Sequence, residues 1–278
     1  MNYHRWSALF RSYDLTLRHN QLILLLTVAG AALAFVAGQM AVSWSSLYRA
    51  VLGGIIVFAA GALAKEVDPD RQRASLLAAV LALGAVWAAD PASPLALLWL
   101  GGSLRFLNRT TGLRPLPTDT VALLGLTAWL SWRELPLFGL LFGALLMLDA
   151  VLPDGQRWHM WLGAALLIGA AVWLWLGDWT IEPLPAWLIL ALLAVATGFI
   201  AVILNSYAVQ AVGDATGQRL NSSRVQAGQV FALAAGLALA SWRGEAGVAL
   251  FVALWAALLG VLAYFLFFGR LRHSVPTV

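Results

Sequence analysis

Side chains able to do chemistry are scarce in this chain, and they gather in short polar stretches. Of 278 residues, 11% are charged and 62% apolar. The densest stretch is Lys65-Glu66-Val67-Asp68-Pro69-Asp70-Arg71-Gln72-Arg73, where six of nine residues are charged. Glu66, Asp68 and Asp70 set three carboxylates at spacing two. Hard cations such as Mg²⁺ take oxygen ligands of this kind, commonly shared with a phosphate. Only a loop could gather all three, because spacing two scatters side chains around a helix. The plainer reading has Asp68 capping a helix, Asp70 complementing a helix N-terminus, and Arg71 and Arg73 pairing with neighbours.

A second cluster follows at Arg105, Arg109 and Arg114, interleaved with Asn108, Thr110 and Thr111. A guanidinium contacts phosphate in bidentate fashion, so Arg109 and Arg114, with Arg219 from a later loop, are expected to bind anionic headgroups. Loops hung from one surface lie side by side, and opposite charges attract there. Glu66, Asp68 and Asp70 are therefore expected close to Arg109, Arg114 and Arg219. The competing expectation spreads these residues out as caps and topology signals. Within apolar surroundings stand Asp149, Asn205 and Gln229. An intramembrane carboxylate is a functional candidate, whereas Asn205 and Gln229 read as interhelical hydrogen-bonding groups.

Much chemistry is excluded. Cysteine is absent, which removes disulfides, thiolate metal sites and Cys nucleophiles. His4, His19, His159 and His273 read as peripheral and unclustered, so no histidine metal site is expected. No phosphate loop, GxGxxG or Ser/His/Asp set is present. Neither a metal nor a cofactor is expected, nor is nucleic acid as a partner. The stretch Arg114-Pro115-Leu116-Pro117 resembles the one that follows the first aspartate-rich motif of UbiA-type prenyltransferases. That family carries carboxylates just upstream; here Ser103-Leu104-Arg105-Phe106-Leu107-Asn108 stands there, and Asp214 is alone in the later loop. The resemblance covers four residues, and membership is not inferred from it.

What must position these side chains is a membrane helix bundle. Ten apolar runs occur. The first five are Gln21–Val42, Leu47–Ala64, Ala74–Ala89, Pro94–Leu107 and Thr118–Trp132. The others are Leu135–Leu152, His159–Gly177, Ala186–Val209, Val225–Trp242 and Gly247–Phe268. A hydrocarbon core of ~30 Å needs about 20 apolar residues per helix; runs four and five are short, so they borrow flanking residues or are broken elements buried in protein. With the N-terminus on side one, that side holds fourteen basic residues and the other three, Arg49, Arg133 and Arg243. Positive charge collects in the cytoplasm, so both termini are expected there, in a bacterial cytoplasmic membrane. Tryptophans 44, 87, 129, 132, 173, 175, 179, 187 and 242 cluster at the outer ends. A net charge of +4 then points to anionic lipid headgroups.

Three units follow: an amphipathic surface helix over 1–20, a transmembrane domain over 21–268, and a cytoplasmic tail over 269–278. In the first, Tyr3, Trp6, Phe10, Tyr13 and Leu17 share one helical stripe, with Arg5, Arg11 and Arg18 off it. Such a helix seeks the headgroup boundary or docks on the protein's own spans. This polar segment of about twenty residues is too long for the ordinary n-region of a cleavable signal peptide. Helix starts are marked at Asp68-Pro69, Ser93-Pro94, Thr118 or Asp119, and Ser222 or Ser223. Gly30, Ala34 and Gly38, and Gly139 and Gly143, permit close helix approach. Thr111-Gly112-Leu113-Arg114, Asp154-Gly155-Gln156-Arg157 and Thr216-Gly217-Gln218-Arg219 form a faint repeat, from duplication or from shared turn chemistry. Three function classes fit: first a small-solute transporter, then a non-catalytic accessory subunit, then a membrane enzyme acting on a phosphorylated lipid at the cytoplasmic face.

Overall fold

A computed structural model describes residues 7–9, 14–40, 46–88 and 93–269. Among them the chain is all-helical, with ten helices. The first half comprises α1 (Arg18–Met40), α2 (Ser46–Val67), α3 (Ala74–Ala88), α4 (Pro94–Asn108) and α5 (Pro117–Arg133). The second comprises α6 (Leu137–Val151), α7 (Trp158–Leu176), α8 (Ala186–Asn205), α9 (Ser222–Leu250) and α10 (Val252–Phe268). Five of these, α1, α2, α7, α8 and α9, are long and apolar enough to cross a membrane. The chain is a membrane protein.

The bundle is built around α2, α4, α9 and α10. Helix α1 packs on α2 and α3, α10 on α2 and α3, α4 on α2, α5, α6 and α9, and α6 on α7. Glycines set two close crossings. A Cβ on Gly53 would lie 2.5 Å from that of Ala34, and one on Gly30 would lie 2.6 Å from Val57, so α1 and α2 touch through the expected small residues. Helices α6 and α7 cross at Gly143 and Gly163, where a Cβ on either would meet the other's carbonyl oxygen at 2.9 or 2.6 Å. Helix α7 is otherwise mostly exposed, with Ile168, Val172 and Trp175 on its outer face, as expected of a helix facing lipid.

The short fourth run forms a helix of 15 residues, roughly 22 Å at 1.5 Å per residue. It is enclosed by neighbours: Trp99, Leu100, Leu104, Phe106 and Leu107 are fully buried. Ser93 caps it, accepting from Ala96 N, with Pro94 in the first turn. Two expected starts fall differently. Asp68 sits at the 68–71 turn, where its carboxylate accepts from the Arg71 backbone, and does not start α3, which begins only at Ala74; the cap of α9 is Asn221, which accepts from Arg224 N. Runs nine and ten are separated at Gly244, whose φ of 55° and ψ of −134° interrupt α9.

Trp129, Trp132, Trp173, Trp175 and Trp187 are exposed at the end of the bundle where α5 and α7 finish. Loops at that end touch: Glu182 N donates to Trp242 O at 3.0 Å, and Arg243 lies against Glu134. Of the expected surface helix, Tyr3, Arg5, Trp6, Phe10, Arg11 and Tyr13 lie outside the described residues, as do Trp44 and the tail beyond Gly269.

The α6–α7 crossing gives the first prediction. Gly163→Val is expected to cost about 1–3 kcal/mol through overpacking, read as a lowered unfolding temperature of the detergent-solubilised protein. Gly169→Val, where a Cβ has nothing within 4 Å, should change it little. Equal effects would mean that the crossing is not close-packed.

Candidate functional site

The site grows out of the way α2 ends. Asp68 N donates to Ala64 O, and the next residue, Pro69, has no N–H to continue the ladder. The carbonyls of Glu66 and Val67 are satisfied instead by side-chain amides. Asn108 Nδ2 donates to Glu66 O at 2.6 Å, and Gln229 Nε2 donates to Val67 O at 3.0 Å and to Ser206 Oγ at 2.9 Å. Gln229 thus joins α9 to two other elements, as its position suggested. Gly228 makes room for Asn108; a Cβ there would fall 1.8 Å from Asn108 Oδ1.

Next to these amides lies a buried ionic cluster centred on Asp149, which is wholly buried near the end of α6. Its Oδ1 accepts from Arg109 Nη2 at 3.0 Å and from Arg224 Nη1 at 2.8 Å. Its Oδ2 accepts from His159 Nδ1 at 2.7 Å, and His159 Nε2 lies 3.3 Å from Thr120 Oγ1. Arg224 also donates to Pro153 O through Nε and Nη2 (2.9 and 2.7 Å) and to Leu107 O at 3.1 Å. Arg109 has φ 54° at the end of α4 and reaches Asp154 O. Burial lowers the pKa of its guanidinium, and the nearby charge of Arg224 adds to this.

Hydrogen bonds then tie four loops (68–73, 109–116, 152–157 and 206–221) into one face. Asp70 accepts from the backbone of Gln210 and Ala211, the shortest bond being 2.7 Å. Asp214 N and Ala215 N donate to Thr110 O and Thr111 O. Gln156 Nε2 donates to Pro115 O at 2.7 Å, and Arg114 pairs with Asp154 at 2.7 Å. Two copies of the faint repeat share a turn, with positive φ at Gly112 and Gly217, whereas the third takes it one position earlier, at Asp154. Ser7–Leu9 are clasped by the same face. Asp119 accepts from Ser7 Oγ and Ala8 N as well as from Leu116 N just before its own helix; Thr111 Oγ1 donates to Ala8 O and Arg105 to Leu9 O.

The proposed carboxylate and arginine sets share this face but pair elsewhere. Glu66 is buried and accepts from Arg105 Nε and Thr110 Oγ1, both at 2.7 Å. Asp68 pairs with Arg71, which also stacks on Phe265; burial pushes the Asp68 carboxyl above its ordinary range, against the pull of Arg71. Arg109 and Arg114 go to Asp149 and Asp154, while Arg219 is exposed. Asn205 is exposed and bonds back to Ala201 O in its own helix, so it links no helices. Among the described residues, no three of His, Asp and Glu come together as a metal-ligand set. Reading the sequence missed the roles of Arg224 and His159; Arg224 is one of the fourteen basic residues that set sidedness, and His159 reads as peripheral and unclustered.

Two cavities adjoin the face. One, of about 640 Å³, is lined by Lys65, Asp70, Arg71, Arg73, Thr110 and Asp214 among others. The second, of about 860 Å³, is an apolar groove along α2, α4 and α5. Comparison of the chain with protein-family models, curated proteins and solved structures finds no match.

Asp149→Ala leaves Arg109 and Arg224 buried without their shared carboxylate. The expected cost is about 3–5 kcal/mol, the usual penalty for stripping one partner from a buried ion pair. Arg114→Gln, whose pair with Asp154 is two-thirds exposed on both sides, should cost under about 1 kcal/mol. Chemical unfolding of the two variants in detergent measures both; equal losses would remove Asp149 from its central place.

Proposed function

We propose that this chain is a ten-span protein of the bacterial cytoplasmic membrane, with both termini and the four-loop face in the cytoplasm. At that face it binds phosphate-bearing anions. The observation that carries this reading is the 640 Å³ cavity, lined by Lys65, Arg71 and Arg73 with His19, and by the carboxylates of Asp70 and Asp214; Arg71 also pairs with Asp68, and Lys65 donates to Asn20. Asp70, one of the two, is engaged by the backbone N–H groups of Gln210 and Ala211. Thr110 and Gln210 add neutral hydrogen-bonding groups to the lining. Guanidinium and ammonium groups in a concave, partly desolvated setting suit phosphate oxygens.

Binding at the face has more support than passage of a polar solute through the bundle. A carrier of small solutes needs polar groups lining a path near mid-membrane. Most of the buried polar side chains, Lys65, Glu66, Asn108, Arg109, Asp149, Arg224 and Gln229 among them, belong to the loop end instead. Farther in, Thr127 is used up by Trp99 Nε1 and by its own helix. The anionic partner is a lipid headgroup or a soluble phosphate compound, and no bond-making step is assigned.

Two measurements test the reading. The chain has no Cys, so single substitutions report sidedness directly. Arg219→Cys should react with a membrane-impermeant maleimide only after cells are opened, and Asp178→Cys before; the reverse pattern overturns the topology. For the site, inorganic pyrophosphate at about 100-fold its Kd should stabilise the purified protein by about 2.7 kcal/mol. Arg73→Gln should abolish that shift. Arg157→Gln, an exposed loop arginine outside the cavity lining, should keep it. No shift with the unaltered protein, or equal loss in both variants, would end the proposal.

A further inference from the structure

The 860 Å³ groove lies on the other side of the end of α2 from the phosphate cavity, with Lys65 lining one and Glu66 the other. It extends along α2 from Ala50 to Glu66, roughly 24 Å at 1.5 Å per residue. Helix α4 contributes Leu97, Leu98, Gly101 and Gly102, and α5 contributes Ala122, Leu123 and Leu126. Its volume falls in the range of about 300–1,000 Å³ usual for ligand sites.

Small residues hollow out this groove. Elsewhere in the bundle glycines let helices touch, and an added Cβ would collide at Gly30, Gly53, Gly143 or Gly163. In the groove, Gly54 lies in ordinary contact with Ala31 and Thr27 of α1, and a Cβ on Gly102 would meet Leu123 at 2.8 Å, but the nearest atom to a Cβ on Gly101 is 3.9 Å away. Gly101 is the glycine that leaves the trough open.

The loop end of the groove is polar, and its ionic groups are unequally presented. The carboxylates of Glu66 and Asp119 are sunk, at 2% and 3% exposure. Each is already occupied: Glu66 by Arg105 and Thr110, Asp119 by Ser7, Ala8 N and Leu116 N. Among the described residues Arg105 is the one cation in the lining; it pairs with Glu66 through Nε and donates to Leu9 O through Nη1, and its side chain is 29% exposed. It stands three residues before the end of α4, roughly one helical turn inside the loop face. An apolar trough that ends at an accessible guanidinium at this depth is complementary to an amphiphile with a long chain and an anionic head.

We infer that the groove is a binding site for an anionic phospholipid, with one acyl chain along α2, α4 and α5 and the headgroup phosphate at Arg105. The site is separate from the phosphate cavity and does not depend on it. The test is native mass spectrometry of the full-length protein, delipidated in detergent and titrated with phosphatidylglycerol, phosphatidylcholine or oleate as separate probes. Phosphatidylglycerol should bind at least tenfold more tightly than phosphatidylcholine. Gly101→Leu, which fills the trough from a position with room for a Cβ, should weaken it at least tenfold. Arg105→Lys should lessen the preference for the anionic headgroup while chain binding persists. The unfolding temperature of lipid-free Gly101→Leu in detergent should match that of the unaltered protein, which shows, whether or not pyrophosphate binds, that the variant is folded. Equal binding of the two phospholipids, tighter binding of oleate, or undiminished binding to Gly101→Leu would each overturn the inference.

Discussion

One buried carboxylate organises the charged end of this bundle. Asp149 has no exposed surface, and an ion so placed loses several kcal/mol of hydration unless it is paired and hydrogen-bonded. Arg109 from the end of α4, Arg224 from the start of α9 and His159 from the start of α7 meet that requirement together. One side chain on α6 therefore sets the positions of three other helices. Apolar packing alone would let those helices slide, because in lipid it is no less favourable to bury Leu against a hydrocarbon tail than against Leu. The ionic centre, with Asn108 and Gln229 capping α2, supplies a register that the apolar faces lack.

That constraint explains why the conspicuous carboxylates do not form a cation site. Glu66, Asp68 and Asp70 serve three structural tasks: a pair to Arg105, a pair to Arg71, and acceptance of the backbone of the α8–α9 loop. Each pair commits its arginine as well, so outside those pairs the cavity lining sets Lys65 and Arg73 beside Asp70 and Asp214. A polar rim beside an apolar trough suits the boundary of a leaflet, where headgroup and acyl chain adjoin.

The helices were legible because each is a local apolar run bounded by punctuation. Ser93-Pro94 marks its helix start, and the small residues of α1 and α6 lie where their helices cross. Asp68-Pro69 carries the same mark, but its carboxylate is taken up by the backbone and side chain of Arg71 in a single turn, and α3 begins four residues later than Asp70. The site was less legible because its bonds are long-range. Arg224 reaches Asp149 across 75 positions and Asp70 reaches Ala211 across 141, distances at which neither spacing nor periodicity carries a signal. Asn205 and Gln229 looked alike as lone polar residues in apolar helices. Packing alone separates them: one faces outward, and the other is buried beside the last carbonyls of α2.

The central claim is that Asp149 and its partners act as one unit. A double-mutant cycle on Asp149→Ala and Arg224→Met, with unfolding free energies measured in the same detergent, tests it most directly. Groups sharing one buried ionic network should show a coupling of about 2–3 kcal/mol, the double variant losing far less than the singles together. Losses that add to within about 0.5 kcal/mol, the behaviour of independent sites, would contradict the account.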